Sequence, residues 1–173
     1  MPKDYPTQDC AIARSLEVLG ERWTLLIVRD MFYGVTHFND LHRHLGMPKA
    51  VLRDRLARLA DEGVVDRNSS ESSAYATYAL TESGRELWPV VRSLAAWGER
   101  HRPPTAQHRI YVHFPCAATL ERTGQCPACR THPSPEEICT ELHPRQNSIE
   151  AASPPRDRIE TVLQHPHRLL TEI

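Results

Sequence analysis

The chain has 173 residues, 40% apolar and 25% charged, with a formal net charge of −1. That length suits one sizeable core plus an appendage, and near-neutrality excludes a whole-chain electrostatic case for nucleic acid, so any such case must be local. No run approaches the roughly 18 apolar residues of a membrane span, and the five cysteines (10, 116, 126, 129, 139) follow an opening without an apolar signal core. We therefore expect a cytoplasmic protein with no membrane partner and no disulfide framework.

Ile12, Leu16 and Leu19 recur at helical spacing before Gly20, which predicts a first helix over about 9–19. Trp23, Leu26, Ile27 and Met31 continue the pattern as far as Gly34, predicting a second helix central to the core. Thr36 is a candidate cap for a third over 38–45, with Leu41 and Leu45 turned inward. The next spans 48–63: Pro48 suits its first turn, Leu52, Leu56 and Leu59 form one stripe, and Gly63 ends it. Segments 64–68 and 75–80, rich in Val, Tyr and Thr, flank a polar 69–73 stretch and read as a hairpin.

Short helix, turn at Leu45-Gly-Met47, longer helix, hairpin is the order of a winged helix-turn-helix, which sets one helix in the DNA major groove. The expected fold is mainly α with a small β-hairpin (α+β). Thr81 opens a further helix in which Leu87, Val90, Val91, Leu94 and Trp97 share a side, and Pro89 should bend it or start a new one. After Pro104 the chain turns rich in Pro, His, Cys and Thr, with one strand candidate at 109–114. From about 144 little periodicity remains, although Ile159, Val162 and Leu163 can form a short docking helix. The expected organisation is a DNA-binding domain at 1–104, a Cys/His-rich appendage at 105–143 and a tail at 144–173.

In the 48–63 helix the leucines face the core, so Lys49, Ala50 and Arg53 on the leading turns are candidates for base edges. Arg53 can present two donors to guanine, Lys49 or Arg58 suits phosphate, and Ala50 and Ala57 permit close approach. Between 36 and 68 there are six Lys or Arg (43, 49, 53, 55, 58, 67) against five Asp or Glu (40, 54, 61, 62, 66), a thin basic excess. The alternative is an ordinary exposed helix face with Asp54 and Arg58 as an i, i+4 pair.

His113 and Cys116, followed after nine residues by Cys126-Pro-Ala-Cys129, supply four ligands of zinc type, with His132, Cys139 and His143 as spares. One structural zinc per chain would stabilise a piece too small for its own core. The alternatives are a loosely ordered tail with reduced thiols and a C-x-x-C thiol oxidoreductase. No Gly-rich phosphate loop, G-x-S-x-G elbow or H-E-x-x-H occurs, so no enzyme is expected.

Cys10 before the first helix, Leu19-Gly-Glu-Arg-Trp23-Thr-Leu-Leu-Ile27, Phe38-Asn-Asp-Leu41, Val51-Leu-Arg-Asp-Arg-Leu56, Leu59-Ala-Asp-Glu-Gly63, Tyr78-Ala-Leu-Thr-Glu-Ser-Gly84 and Trp97-Gly-Glu-Arg-His101 together resemble the HxlR-type family of bacterial winged-helix transcriptional regulators. The resemblance implies a homodimer on a two-fold-related operator in double-stranded DNA, with dimer contacts from the first helix and from the long helix after the wing. It places Lys49, Ala50 and Arg53 on the recognition helix and the 69–73 tip in the wing, where Arg67 is the basic residue left. It also aligns Cys10 with a cysteine that some members use to sense oxidants or electrophiles, and a thiolate there is favoured by the helix dipole. Ala117 departs from the glycine expected after the first appendage cysteine. The resulting expectation is a dimeric, sequence-specific DNA-binding repressor, open to a small-molecule or electrophile effector. A winged-helix protein-interaction module is the alternative.

Overall fold

The computed structural model describes residues 5–68, 76–105, 107–144 and 158–173, so the expected wing tip at 69–73 lies outside the described residues. These fall into two compact units, one made of Met1–Met31 and Thr36–Gly84, the other of Phe32–Val35 and Arg85–Ile173.

In the first unit, α1 (Ala11–Leu19) and α2 (Thr24–Phe32) precede α3 (Phe38–Leu45) and α4 (Lys49–Asp61). The leucine periodicity is realised: Ile27, Val28, Leu41, Leu52, Leu56 and Leu59 are buried, with Met47 plugging the turn. Burying each such side chain is worth about 1.5–3 kcal/mol, which holds α4 in place and leaves its opposite side to solvent. Two helix starts differ from expectation. His37, not Thr36, is the α3 N-cap, because the Thr36 carbonyl accepts the Tyr78 N–H at 2.9 Å and continues the hairpin's ladder. Pro48 is the α4 N-cap in extended backbone, not a first-turn residue.

The hairpin pairs β1 (Val65–Asn68) with β2 (Thr77–Leu80), Val65 opposite Leu80 and Arg67 opposite Tyr78. Inside the interior the Asp30 carboxylate is fully buried, bound by Arg29 at 2.6 and 2.8 Å and by His44 Nδ1 at 2.6 Å. A buried charge needs such partners, and these tie α2 to the last turn of α3.

The helix expected after Thr81 breaks into α5 (Glu82–Arg85) and α6 (Trp88–His101), with Pro89 in the first turn of α6, where its missing N–H costs nothing. A four-stranded sheet follows in the second unit, in the order β4-β3-β5-β6: β3 (Gln107–His113), β4 (Ala118–Thr119), β5 (Ile138–Pro144) and β6 (His167–Arg168). Only β3 was foreseen. The short helix suggested around Ile159 forms as α7 (Arg158–Gln164), with Ile159, Leu163 and Leu169 buried.

The chain end is tied down: Leu170 N–H donates to Phe32 O at 2.7 Å and Ile173 N–H to Gly34 O at 3.2 Å. Trp88 packs edge-on against both Phe32 and Tyr111, each at 5.2 Å between centroids.

Candidate nucleic-acid interface and metal-ligating cluster

The geometry of the exposed helix begins with the turn before it. Gly46 takes a left-handed conformation (φ 63°), its N–H closes on His42 O at 3.0 Å, and His42 Nδ1 lies 2.7 Å from Met47 O. A side chain at Gly46 would be strained, and the histidine holds the next carbonyl, so the entry to α4 is fixed.

At that entry Lys49, Ala50 and Arg53 are exposed, while the leucine stripe is covered. The other basic residues of α4 are engaged inward. Arg55 bonds Glu21 and Asp54, both at 3.0 Å, and the half-buried Arg58 donates to Glu17 O in the last turn of α1 at 2.6 Å. A cation on carbonyls at a helix end is favourable, so Arg58 braces α4 against α1. Arg67 is exposed on β1. Together with Arg53 it lines a groove of about 740 Å³ that Arg43 of α3 also enters, a residue the sequence reading counted but did not single out.

Cys10 is the N-cap of α1, exposed, with Sγ accepting the Ala13 N–H at 3.4 Å. Its thiol thus sits on orphan N–H groups of the first turn, where negative charge is favoured.

In the second unit the four foreseen ligands come together. His113 ends β3, Cys116 occupies the turn after it, and Cys126 and Cys129 form a knuckle in which Arg130 N–H bonds Cys126 O at 2.7 Å. The ligand atoms of His113, Cys116, Cys126 and Cys129 all lie within 4.8 Å of one another. Cys116 Sγ is 3.2 Å from His113 Nδ1 and 3.5 Å from Cys126 Sγ, and Cys129 Sγ is 3.5 Å from His113 Nδ1. A tetrahedron with bonds of about 2.0–2.3 Å has edges of about 3.5–3.8 Å, so the set is close to metal-sized. Ala117 and Arg130 adopt left-handed backbone (φ 55° and 58°) in the two ligand turns. At Ala117 this accounts for the glycine expected there, since an L side chain is disfavoured in that conformation.

The thiols compete for protons. Burial opposes ionisation of Cys126, but the Cys129 backbone N–H and the Cys116 and His113 side chains bring it down to about 6. Hydrogen bonds that the Cys129 S–H donates to Cys116 and Cys126, then burial, push Cys129 up to about 11. Three sulfurs this close can all lose their protons to solvent only if a cation takes the protons' place between them and the imidazole, which is the chemistry of a metal site. Cys139 lies apart on β5, its thiol pushed up by burial, and His132 and His143 are outside the cluster. Cys126 is buried in a turn, not exposed at a helix start, which disfavours thiol–disulfide exchange there.

Residues 18–106 match the family model for HxlR-like helix-turn-helix proteins. The uncharacterized HTH-type transcriptional regulator Rv3095 of Mycobacterium tuberculosis is 37% identical over 134 residues, 75% of either chain. A second relative, the uncharacterized HTH-type transcriptional regulator YybR of Bacillus subtilis, is 30% identical over 61% of this chain and 86% of its own. Among solved structures, PA1607 superposes with a TM-score of 0.53 at 39% identity over 54% of this chain and 66% of its own. The reduced form of the redox regulator HypR gives 0.51 at 29% over 54% of this chain and 94% of its own.

Proposed function

From the fact that this chain belongs to the HxlR-like helix-turn-helix family of transcriptional regulators, and so is a DNA-binding regulator, we propose that it acts in the cytoplasm as a homodimeric repressor competing for promoter DNA. Two copies of α4 enter successive major grooves of a two-fold-related operator about one helical turn apart. The observation that carries this is the outward-facing start of α4, where Lys49, Ala50 and Arg53 stand exposed over a buried leucine stripe. Arg53 reads base edges and Lys49 neutralises phosphate, while Arg58 keeps the helix at its angle.

Dimer formation is supported by large apolar side chains left in solvent, Ile12 and Leu16 on α1 and Val90, Leu94 and Trp97 on α6. Thiol chemistry at Cys10, with an oxidant or electrophile as effector, is supported by its exposed N-cap position and by the likeness to the redox regulator HypR. The four-residue cluster fits one structural zinc per chain, held by His113, Cys116, Cys126 and Cys129.

The test is a mobility shift with DNA from upstream of the protein's own gene at rising salt. We expect binding that falls steeply with salt, loss of sequence preference in Arg53→Ala, and lower affinity for all sequences in Lys49→Ala. Absence of any salt-sensitive shift, with a protein partner copurifying, would replace this reading with that of a protein-interaction module.

A further inference from the structure

Cys116 and Cys126 reach the four-residue cluster from separate turns. Cys116 N–H bonds His113 O at 3.3 Å in the turn between β3 and β4. Cys126 is held by its own N–H on Thr131 O at 2.8 Å and by Arg130 N–H on its carbonyl at 2.7 Å. The two sulfurs nonetheless stand 3.5 Å apart, that of Cys116 on an exposed residue and that of Cys126 on a buried one. A disulfide needs about 2.05 Å, so a shift of about 1.5 Å, within reach of side-chain torsions, closes the gap. Both residues lie outside 18–106, the part of the chain that matches the family model.

We propose that Cys116 and Cys126 are an oxidant-modified pair: a hydroperoxide joins them as a disulfide, and the zinc that the cluster holds is released. This rests on the zinc reading above and adds a reaction to it. The thiolate is the reacting form, and Cys116 presents it to solvent. Its sulfur attacks one peroxide oxygen, the O–O bond breaks, and hydroxide leaves as a sulfenic acid forms on Cys116. The Cys126 thiolate then attacks that sulfur. The S–S bond forms as the S–O bond breaks, and a second hydroxide leaves. Two thiolates have lost two electrons, the peroxide has gained them, and two solvent protons turn both hydroxides into water. Cys126 acts from inside as the resolving thiol, so its burial is no obstacle, and the Cys129 N–H 3.4 Å from its sulfur favours the thiolate. Only His113 and Cys129 then remain as ligands, half of the four that a structural site needs.

The experiment uses the full zinc-loaded chain in the Cys10→Ser background, which removes the other candidate thiol. Hydrogen peroxide is titrated in, with free zinc read by a chromogenic chelator, free thiols counted and cross-links mapped by mass spectrometry. We expect about one zinc released per chain for two thiols lost, a Cys116–Cys126 cross-link, and recovery with dithiothreitol and zinc. Cys139→Ser should release zinc as its parent does. Cys116→His, which keeps four ligands but cannot form this bond, should hold its zinc to about tenfold more peroxide. Where Cys116→His takes up no zinc, the cross-link map of the parent decides. Zinc retained by the parent or by Cys139→Ser while thiols are consumed, a Cys126–Cys129 cross-link, or release from Cys116→His at the parent's dose overturns the proposal and leaves the zinc reading intact. A parent chain that takes up no zinc overturns both.

Discussion

The phenol oxygens of Tyr33 and Tyr111 lie 2.8 Å apart in the buried interior of the second unit, joining the turn after α2 to strand β3. Arg109 stacks over the Tyr33 ring at 4.5 Å and Arg92 over the Tyr111 ring at 4.8 Å. Tyr111→Phe removes the hydroxyl contact but keeps the ring packing. We expect a loss of about 1–2 kcal/mol, read as a fall of a few degrees in Tm.

The same contact sets an alkaline limit. Burial, reinforced by the neighbouring Tyr33, raises the Tyr111 phenol well above its ordinary value of 10.0. The folded state therefore holds this proton more tightly than the unfolded chain. Its contribution is complete below about pH 10 and is lost as pH climbs above it. Denaturant titrations from pH 8 to 11 should show stability declining above 10, with a shallower decline in Tyr111→Phe.

Gly34 has φ +87°, and a Cβ built there would lie 1.8 Å from the Thr171 carbonyl oxygen. Gly34→Ala must displace the terminal segment at Thr171 as well as strain the turn. A cost of about 2–4 kcal/mol is expected from these two effects together. Faster limited proteolysis near Leu170 would accompany it, and unchanged stability and cleavage would contradict the tie between the chain end and the turn after α2.

Freshly purified protein should hold about one zinc per chain by elemental analysis. Chelation, or Cys126→Ser, should remove it and lower the Tm, since binding energy in a small metal site is folding energy. Metal-free protein with an unchanged melting curve after chelator would end the zinc reading.

Treatment with diamide or an aldehyde should change operator affinity in the wild type and leave Cys10→Ser unaffected. Equal responses from the two proteins would remove Cys10 from the mechanism. Both are read by fluorescence anisotropy of a labelled duplex, with thiol labelling of the exposed Cys10 as the control.

Leucine spacing made α4 and its buried stripe legible, because helical neighbours are close in sequence and their burial is a local pattern. The four ligands were legible for a related reason: two short loops bring together residues already near one another along the chain. Strand β5 was not, since Cys139, Thr140 and Glu141 carry no strong strand signal and owe their conformation to pairing with Val112, Tyr111 and Ile110. Arg58 shows the limit of a helical projection. The sequence suited it to phosphate, but the carbonyl that takes its guanidinium belongs to Glu17, a residue no spacing rule connects to it. The three-arginine groove was hidden likewise, because its cations lie on different elements.

The carbonyl oxygen of Met47 can only accept, so the His42 nitrogen 2.7 Å from it must carry a hydrogen, while His44 Nδ1 lies 2.6 Å from the buried Asp30 side chain. Neutral imidazole in water prefers its proton on the other nitrogen. The turn between α3 and α4 thus keeps a hydrogen on the His42 nitrogen that the free neutral ring leaves bare, and nitrogen-15 chemical shifts of His42 would report directly whether that turn is intact.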